Sequence, residues 1–348
     1  MKTGPAQRRH DMDIAASAAR SMAAVLQDRY GEPDEVLRFD QIPRPSAGPG
    51  EVLVQVHAAG IDQGVWHLVA GRPYAVRLAG YGLRAPKVHV PGGDLAGRVA
   101  AVGADVTGFD VGDEVYGFGR GTFAEYAVAR PGKLSRKPAN LTFQQAAAVP
   151  VSGVTALQAL RRGRVREGQS VLVLGASGGV GTFAVQIAKA LGAEVTGVAS
   201  TGKVDLVRSL GADDVLDYTR NDLAEQDRAY DLVLDIGGNR PLRLLRRLLT
   251  RTGRLVITGG EGGGRWLGGT DRQLRAMALS PFIRQQLGTF VAKQNSADLA
   301  ALTELIEAGR VTPAVDRAYP LAEAAAAIRD LREGRIRGKA VVDVTRDQ

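Results

Sequence analysis

The stretch VLVLGASGGVGTFAVQIAKALGAEV, Val171 to Val195, constrains the fold more than any other part of the chain. Val171–Leu174 are four consecutive aliphatic residues, two of them β-branched, the pattern of a strand buried on both faces of a parallel sheet. A small-residue turn follows. From Thr182 the apolar positions Phe183, Val185, Ile187, Ala188 and Leu191 recur at helical spacing, and Gly192 supplies a helix stop. The unit is therefore strand, glycine turn, helix.

That unit is one of several. After Val195 the sequence alternates strand-like EVTGVA, DDVLDY, DLVLDI and RLVITGG with helix-like KVDLVRSL and PLRLLRRLLT, the signature of parallel crossovers in a doubly wound sheet. GTFVAK reads as a further edge strand, and an exposed edge favours pairing with a second copy, so a homodimer is expected. The region before this is different. EVLVQVHAAG, GRVAAVG and DEVYGF are short β runs between Gly and Pro signals such as PSAGPGE, which predicts a compact, mostly β unit. DLAALTELIEAG and LAEAAAAIRDLREG then read as helices and KAVVDV as a last strand returning to the first unit. The chain of 348 residues is too long for one core. The expected division is an α/β architecture with a flexible arm over 1–21, a mostly β domain over 22–143 and 295–348, and a nucleotide-binding domain over 144–294.

Composition narrows the function. The net charge of +8 comes from arginines scattered among acids, with no run of five or six basic residues, so nucleic acid is not an expected partner. No apolar run is long enough to span a bilayer, and MKTGPAQRRHDMD has no secretory apolar segment, so a cytoplasmic protein without a membrane partner is expected. The absence of cysteine removes thiolate nucleophiles and cysteine-ligated zinc.

The turn GASGGVG carries Ala176 where the usual dinucleotide fingerprint has its first glycine, keeping Gly178 and Gly181. A β-carbon at Gly178 would stand between backbone and pyrophosphate, and one at Gly181 would hold the helix off the strand. The N–H groups of Ser177 to Gly181, at the helix start, suit a phosphate. Enzymes that use NAD place an acid about 20 residues later for the ribose 2′-OH. Here Ser200, Thr201 and Lys203 stand there instead, two hydroxyls and an ammonium that suit a 2′-phosphate, so NADPH is the expected cofactor. Ser200 and Thr201 equally suit a helix cap.

The segments AGIDQGVWHLVAGRPY, PGGDLAGRVAAVG, VGDEVYGF, GTFAEYAV, AAAVPVSGVTALQAL, GASGGVGTFAVQIAKALGAEV, SLGADDVLDY and GRIRGKAVVDV occur in an order that resembles the medium-chain dehydrogenase/reductase superfamily, in its zinc-free, quinone-oxidoreductase-like branch. The resemblance implies a GroES-like catalytic domain made from both chain ends, a Rossmann domain between them, and a cleft holding the active site. It implies cofactor contacts from Thr155, the turn Ser177, Gly178, Gly179, Val180 and Gly181, then Tyr218, Gly237, Gly238, Gly259, Gly260 and Lys339. Zinc-dependent members place Cys and a Gly-His-Glu motif where this chain has AGIDQG and Gly92, Gly93 and Asp94. No catalytic metal is expected.

Without a Lewis acid, an unactivated ketone loses several kcal/mol of oxyanion stabilisation, whereas a quinone or enone spreads the incoming charge itself. The family's substrate segment is altered to Gly60, Ile61, Asp62, Gln63, Gly64, Val65, Trp66 and His67, with Tyr74 beyond. Asp62, His67 and Tyr74 are expected beside the nicotinamide, with Trp66 and Tyr81 shaping the apolar wall. The expected function is NADPH-dependent reduction of a quinone or α,β-unsaturated carbonyl, with His67 or Tyr74 hydrogen-bonding the acceptor and water giving the final proton. The competing readings are a nucleotide-sensing or nucleic-acid-associated binder on the same fold, and an alcohol dehydrogenase with atypical zinc ligands.

Overall fold

The structure, a computed structural model, describes residues 21–260, 264, 266 and 268–345. The arm expected over 1–21 lies outside these except for Ser21, which opens strand β1 (Ser21–Gln27). β1 pairs antiparallel with β2 (Leu37–Pro43), a hairpin that alternation alone did not announce.

The mostly β domain is built on β3 (Val52–Ile61), β4 (Asp94–Val102), β5 (Glu114–Phe118), β6 (Tyr126–Ala129) and β7 (Leu134–Arg136). Helix α1 (Gln63–Ala70) follows β3 directly, capped by the Asp62 side chain, which accepts from the Val65 N–H at 3.1 Å. Helix α2 (Pro150–Gly163) then leads into the second domain, with proline at its first position, where no N–H is needed.

Six parallel strands follow: β8 (Ser170–Leu174), β9 (Glu194–Ala199), β10 (Asp214–Asp217), β11 (Tyr230–Asp235), β12 (Leu249–Ile257) and β13 (Gln286–Thr289). Their spatial order is β10-β9-β8-β11-β12-β13, the doubly wound order in which the chain reverses direction between β8 and β11. Helix α3 (Gly179–Ala190) crosses from β8 to β9 and buries Phe183, Val185 and Ile187 completely against the sheet and α2. Each such side chain contributes about 1.5–3 kcal/mol over leaving it in water. Helices α4 (Val204–Ser209), α5 (Leu242–Arg247) and α6 (Thr270–Leu279) complete the layer structure. The edge strand expected at residues 288–293 lies at Gln286–Thr289 instead, because Phe290 to Gln294 turn away to line a cavity.

Helix α7 (Ser296–Glu307) places Leu299, Leu302 and Ile306 in a core shared with α2. β14 (Val315–Pro320), helix α8 (Ala324–Arg332) and β15 (Lys339–Asp343) carry the chain back. β15 is buried throughout and pairs antiparallel with β3, Ala340 opposite Ile61. The sheet order β14-β15-β3-β4-β5-β7 thus joins both ends of the chain, and it sets Lys339 beside the strand that opens α1.

Candidate active site

At the carboxyl ends of β8 and β11 a cavity of about 770 Å³ opens between the two domains, at the switch point where doubly wound sheets bind ligands. Its floor is the glycine turn. A Cβ on Gly178 would meet nothing nearer than the Gly175 carbonyl oxygen at 3.5 Å, so this position faces open space. At Gly181 a Cβ would overlap the Gly175 carbonyl and the Ala176 backbone, so glycine there lets α3 approach β8. The Gly338 N–H donates to the Ser177 carbonyl at 2.9 Å, which fastens the turn to the strand bearing Lys339.

Of the residues singled out in the sequence, Asp62, His67, Thr155, Ser177, Gly178, Gly179 and Val180 line this one cavity. Ser200, Lys203, Tyr218, Gly237, Gly259, Gly260 and Lys339 line it as well. Others do not. Trp66 is 5% exposed and packs in the domain core, with the Arg332 guanidinium 3.6 Å from its ring centroid. Tyr74 packs edge-on against Trp266 at 5.2 Å, and Tyr81 is half exposed with its carbonyl accepting from the Tyr30 hydroxyl. The reason is helical periodicity: Gln63, Gly64 and His67 share the cavity face of α1, and the intervening Val65 and Trp66 must point into the core. Gly238 and Thr201 also stand outside the lining. The Gly238 N–H donates to Asp235, and the Thr201 hydroxyl donates to Asp217 at 2.6 Å.

That hydroxyl pairing corrects the sequence reading. The Asp217 carboxyl is held below its usual range by the hydroxyls of Thr201 and Thr219 and is ionised, so Thr201 serves a carboxylate rather than a phosphate. Lys203 is likewise engaged: its ammonium donates to the Gly334 and Ile336 carbonyls at 2.8 and 2.7 Å, linking the Rossmann domain to the loop before β15. Burial lowers its pKa. Ser200 makes no capping bond to the turn that follows it.

The structure adds residues the sequence did not nominate. Arg240 lines the cavity with its guanidinium 5.7 Å from the Tyr218 ring centroid. Thr258 lines it with a buried hydroxyl oxygen that has no hydrogen-bond partner. With Lys203, Lys293 and Lys339, four cations face two carboxylates, Asp62 and Asp235, and Asp235 is paired with Arg272. Such a balance favours a polyanion. The open space at Gly178 and Gly237, the orphaned Thr258 hydroxyl and this charge all fit a phosphate-linked dinucleotide.

Asp94 sits just behind the cavity. It is fully buried at the start of β4, and both its oxygens accept from the Val151 N–H, at 3.2 and 3.1 Å. Burial pushes its carboxyl up to about 8, aided by the charge of Asp62 and opposed by Lys339 and the Val151 N–H. The buried Lys339 ammonium donates to the Ile61 carbonyl at 2.7 Å. His67 Nδ1 lies 2.7 Å from the Arg72 carbonyl, so this nitrogen carries the proton. Among the described residues no group of three or more His, Cys, Asp or Glu is placed to hold a metal ion, and no helix is long and apolar enough to cross a membrane.

Comparison with known proteins agrees with this architecture. Residues 48–139 match the alcohol dehydrogenase GroES-like domain, and residues 210–342 match the family described as zinc-binding dehydrogenase. The mouse NAD(P)H oxidoreductase RTN4IP1, mitochondrial, is 33% identical over 95% of this chain and 92% of its own length. The chloroplastic quinone-oxidoreductase QR1 of Triphysaria versicolor is 30% identical over 94% of this chain and 99% of its own. The quinone oxidoreductase structure from Coxiella burnetii superposes with a TM-score of 0.82 at 29% identity, covering 93% of this chain and 99% of the other. The chain belongs to the medium-chain dehydrogenase/reductase superfamily, in its quinone-oxidoreductase-like branch, and is a reductase of that type.

Proposed function

We propose that the protein is a zinc-independent, NADPH-dependent reductase of quinones or α,β-unsaturated carbonyls. The observation that carries this is the single cavity joining the glycine turn, the end of β9 and the Asp62–His67 face of α1. A nicotinamide cofactor held there supplies a hydride. The glycine turn and the start of α3 receive the pyrophosphate, and Ser200, Lys203 and Arg240 offer hydrogen-bond donors to a 2′-phosphate. At the other end, Asp62, His67, Lys339 and Thr155 surround the space for the acceptor. His67 donates to an acceptor oxygen only when its ring carries both protons, because Nδ1–H already serves Arg72. The hydride acceptor is a conjugated system that stabilises its own charge, and water gives the final proton.

Zinc independence is supported by the absence of cysteine and by the chemistry at the usual ligand positions, two glycines and a buried Asp94. The relatives named as quinone oxidoreductase and as NADPH-dependent alkenal/one oxidoreductase, the latter 31% identical, support the acceptor class. The test is to mix protein and NADPH with a panel of quinones and enones and follow loss of the reduced-nicotinamide absorbance. Turnover with conjugated acceptors and none with simple ketones is expected. Binding without oxidation across the panel, or one tightly held zinc per chain by elemental analysis, overturns the reading.

A further inference from the structure

Arg272 stands where local forces disfavour it. It is the third residue of α6, in the turn where the helix dipole is positive and acids are preferred. Its side chain is only 12% exposed, and its Nε is buried without a hydrogen-bond partner. A buried ion pair is a weak source of stability, because taking two charges out of water costs about as much as their attraction returns. The fold alone gives little reason to keep an arginine here.

The site gives one. Arg272 Nη1 lies 2.5 Å from an oxygen of Asp235, whose side chain is fully buried at the end of β11. Nη1 also donates to the Arg240 carbonyl at 2.8 Å, and Nη2 donates to the Gly259 carbonyl at 3.4 Å. The Gly238 N–H donates to the other Asp235 oxygen at 3.1 Å. Gly237, Asn239 and Arg240 line the cavity from the loop after β11, and Thr258, Gly259 and Gly260 line it from the loop after β12. The loops touch, since a Cβ on Gly259 would overlap the Ile236 carbonyl. Arg272, itself outside the lining, therefore ties both loops to one carboxylate. That carboxylate is sensitive ground. Asp235 ends the strand next to β8, and the glycine turn is so near that a Cβ on Gly175 would come within 3.3 Å of the Gly237 nitrogen. An uncompensated negative charge there would repel the phosphates of a dinucleotide.

We propose that Arg272 is a positioning residue for the dinucleotide: it cancels the charge of Asp235 beside the phosphates and fixes the two loops against which the cofactor lies. The assignment rests on the proposed placement of the cofactor in this cavity. It concerns the phosphate-linked frame that NADPH and NADH share, whereas Lys203 is assigned to the 2′-phosphate that only NADPH carries.

Calorimetry of NADPH and NADH on the whole chain, with a thermal melt of each variant, tests this. Arg272→Gln strands the carboxylate and frees both loops, and should weaken both cofactors at least about tenfold. Asp235→Asn breaks the same pair, yet it keeps an acceptor for the Gly238 N–H and leaves the guanidinium on the Arg240 and Gly259 carbonyls. It should bind both cofactors as tightly as the parent or more tightly. Each substitution leaves a buried charge unpaired and should lower Tm, so affinities that diverge while both melts fall separate positioning from a merely structural pair. Arg272→Lys keeps the charge without the planar fork and should fall between Arg272→Gln and the parent. Parental affinity in Arg272→Gln, or an equal loss in Asp235→Asn, overturns the proposal. If Arg272→Gln does not fold, the other two decide: weaker binding in Arg272→Lys with none lost in Asp235→Asn supports it, and any other pattern overturns it. A parent chain that binds neither cofactor overturns the placement and this assignment together. Binding that behaves as expected with no conjugated acceptor reduced defeats the reductase reading and leaves the role of Arg272 standing.

Discussion

Replacing Asp94 with asparagine tests the most unusual electrostatic feature of the site. The carboxyl titrates at about 8 in the fold, against 3.8 for the ordinary group, because its burial outweighs the Val151 N–H and the Lys339 ammonium. With the folded pKa raised, the stability associated with the neutral carboxyl is fully present below about pH 4 and is lost progressively as pH rises through about 8. By about pH 7 the unfolded chain gains some 3 pH units of ionisation that the fold resists, a cost of about 4 kcal/mol at 1.36 kcal/mol per unit. An asparagine side chain keeps the shape and an acceptor for Val151 and cannot ionise. The Asp94→Asn protein should therefore match the parent near pH 4 and exceed it increasingly up to about pH 8. At about 2–4 °C per kcal/mol for a domain of this size, the gain near neutrality is about 8–16 °C in Tm. Thermal melts of both proteins across this range measure it. A difference that does not change with pH, or one that grows as pH falls, refutes the argument.

Gly181→Ala should lower stability by about 1–3 kcal/mol and abolish NADPH binding, because the new Cβ collides with the Gly175 carbonyl. Gly178→Ala should melt like the parent yet bind NADPH weakly, since its Cβ enters only open space; equal melts and equal affinities for both variants would refute the assigned geometry. Lys203→Ala should raise the NADPH Kd about tenfold by calorimetry while leaving NADH nearly unchanged, as expected when one charge-assisted contact is lost. Equal losses for both cofactors would reduce Lys203 to its observed link with Gly334 and Ile336. Replacing His67 with phenylalanine should lower turnover on a good enone about 100–1,000-fold, the size of a lost oxyanion donor. Unchanged turnover in His67→Phe removes this residue from the reaction, and Tyr74→Phe, outside the cavity lining, should leave turnover unchanged.

Much of this protein was legible in one dimension. Val171–Leu174, the glycine turn and the helical spacing from Thr182 determined a strand, a phosphate-ready turn and a crossover helix, because each of these depends on neighbours within a few residues. Most strands and helices after Val195 were readable for the same reason, but the strand read at 288–293 lies at Gln286–Thr289 and the helix read over 241–250 gives way to a strand at Leu249. What tertiary structure alone decided are the partnerships across long separations. Ile61 and Lys339 meet over 278 positions, Lys203 reaches Ile336 over 133, and Asp94 meets the start of α2 over 57. No local pattern encodes whether such groups are buried, charged or already paired, and that is what sets Asp94 neutral and Thr201 on Asp217. Trp66 shows the boundary between the two: the sequence placed it beside the site, and one turn of helix, packed by the rest of the chain, carried it into the core.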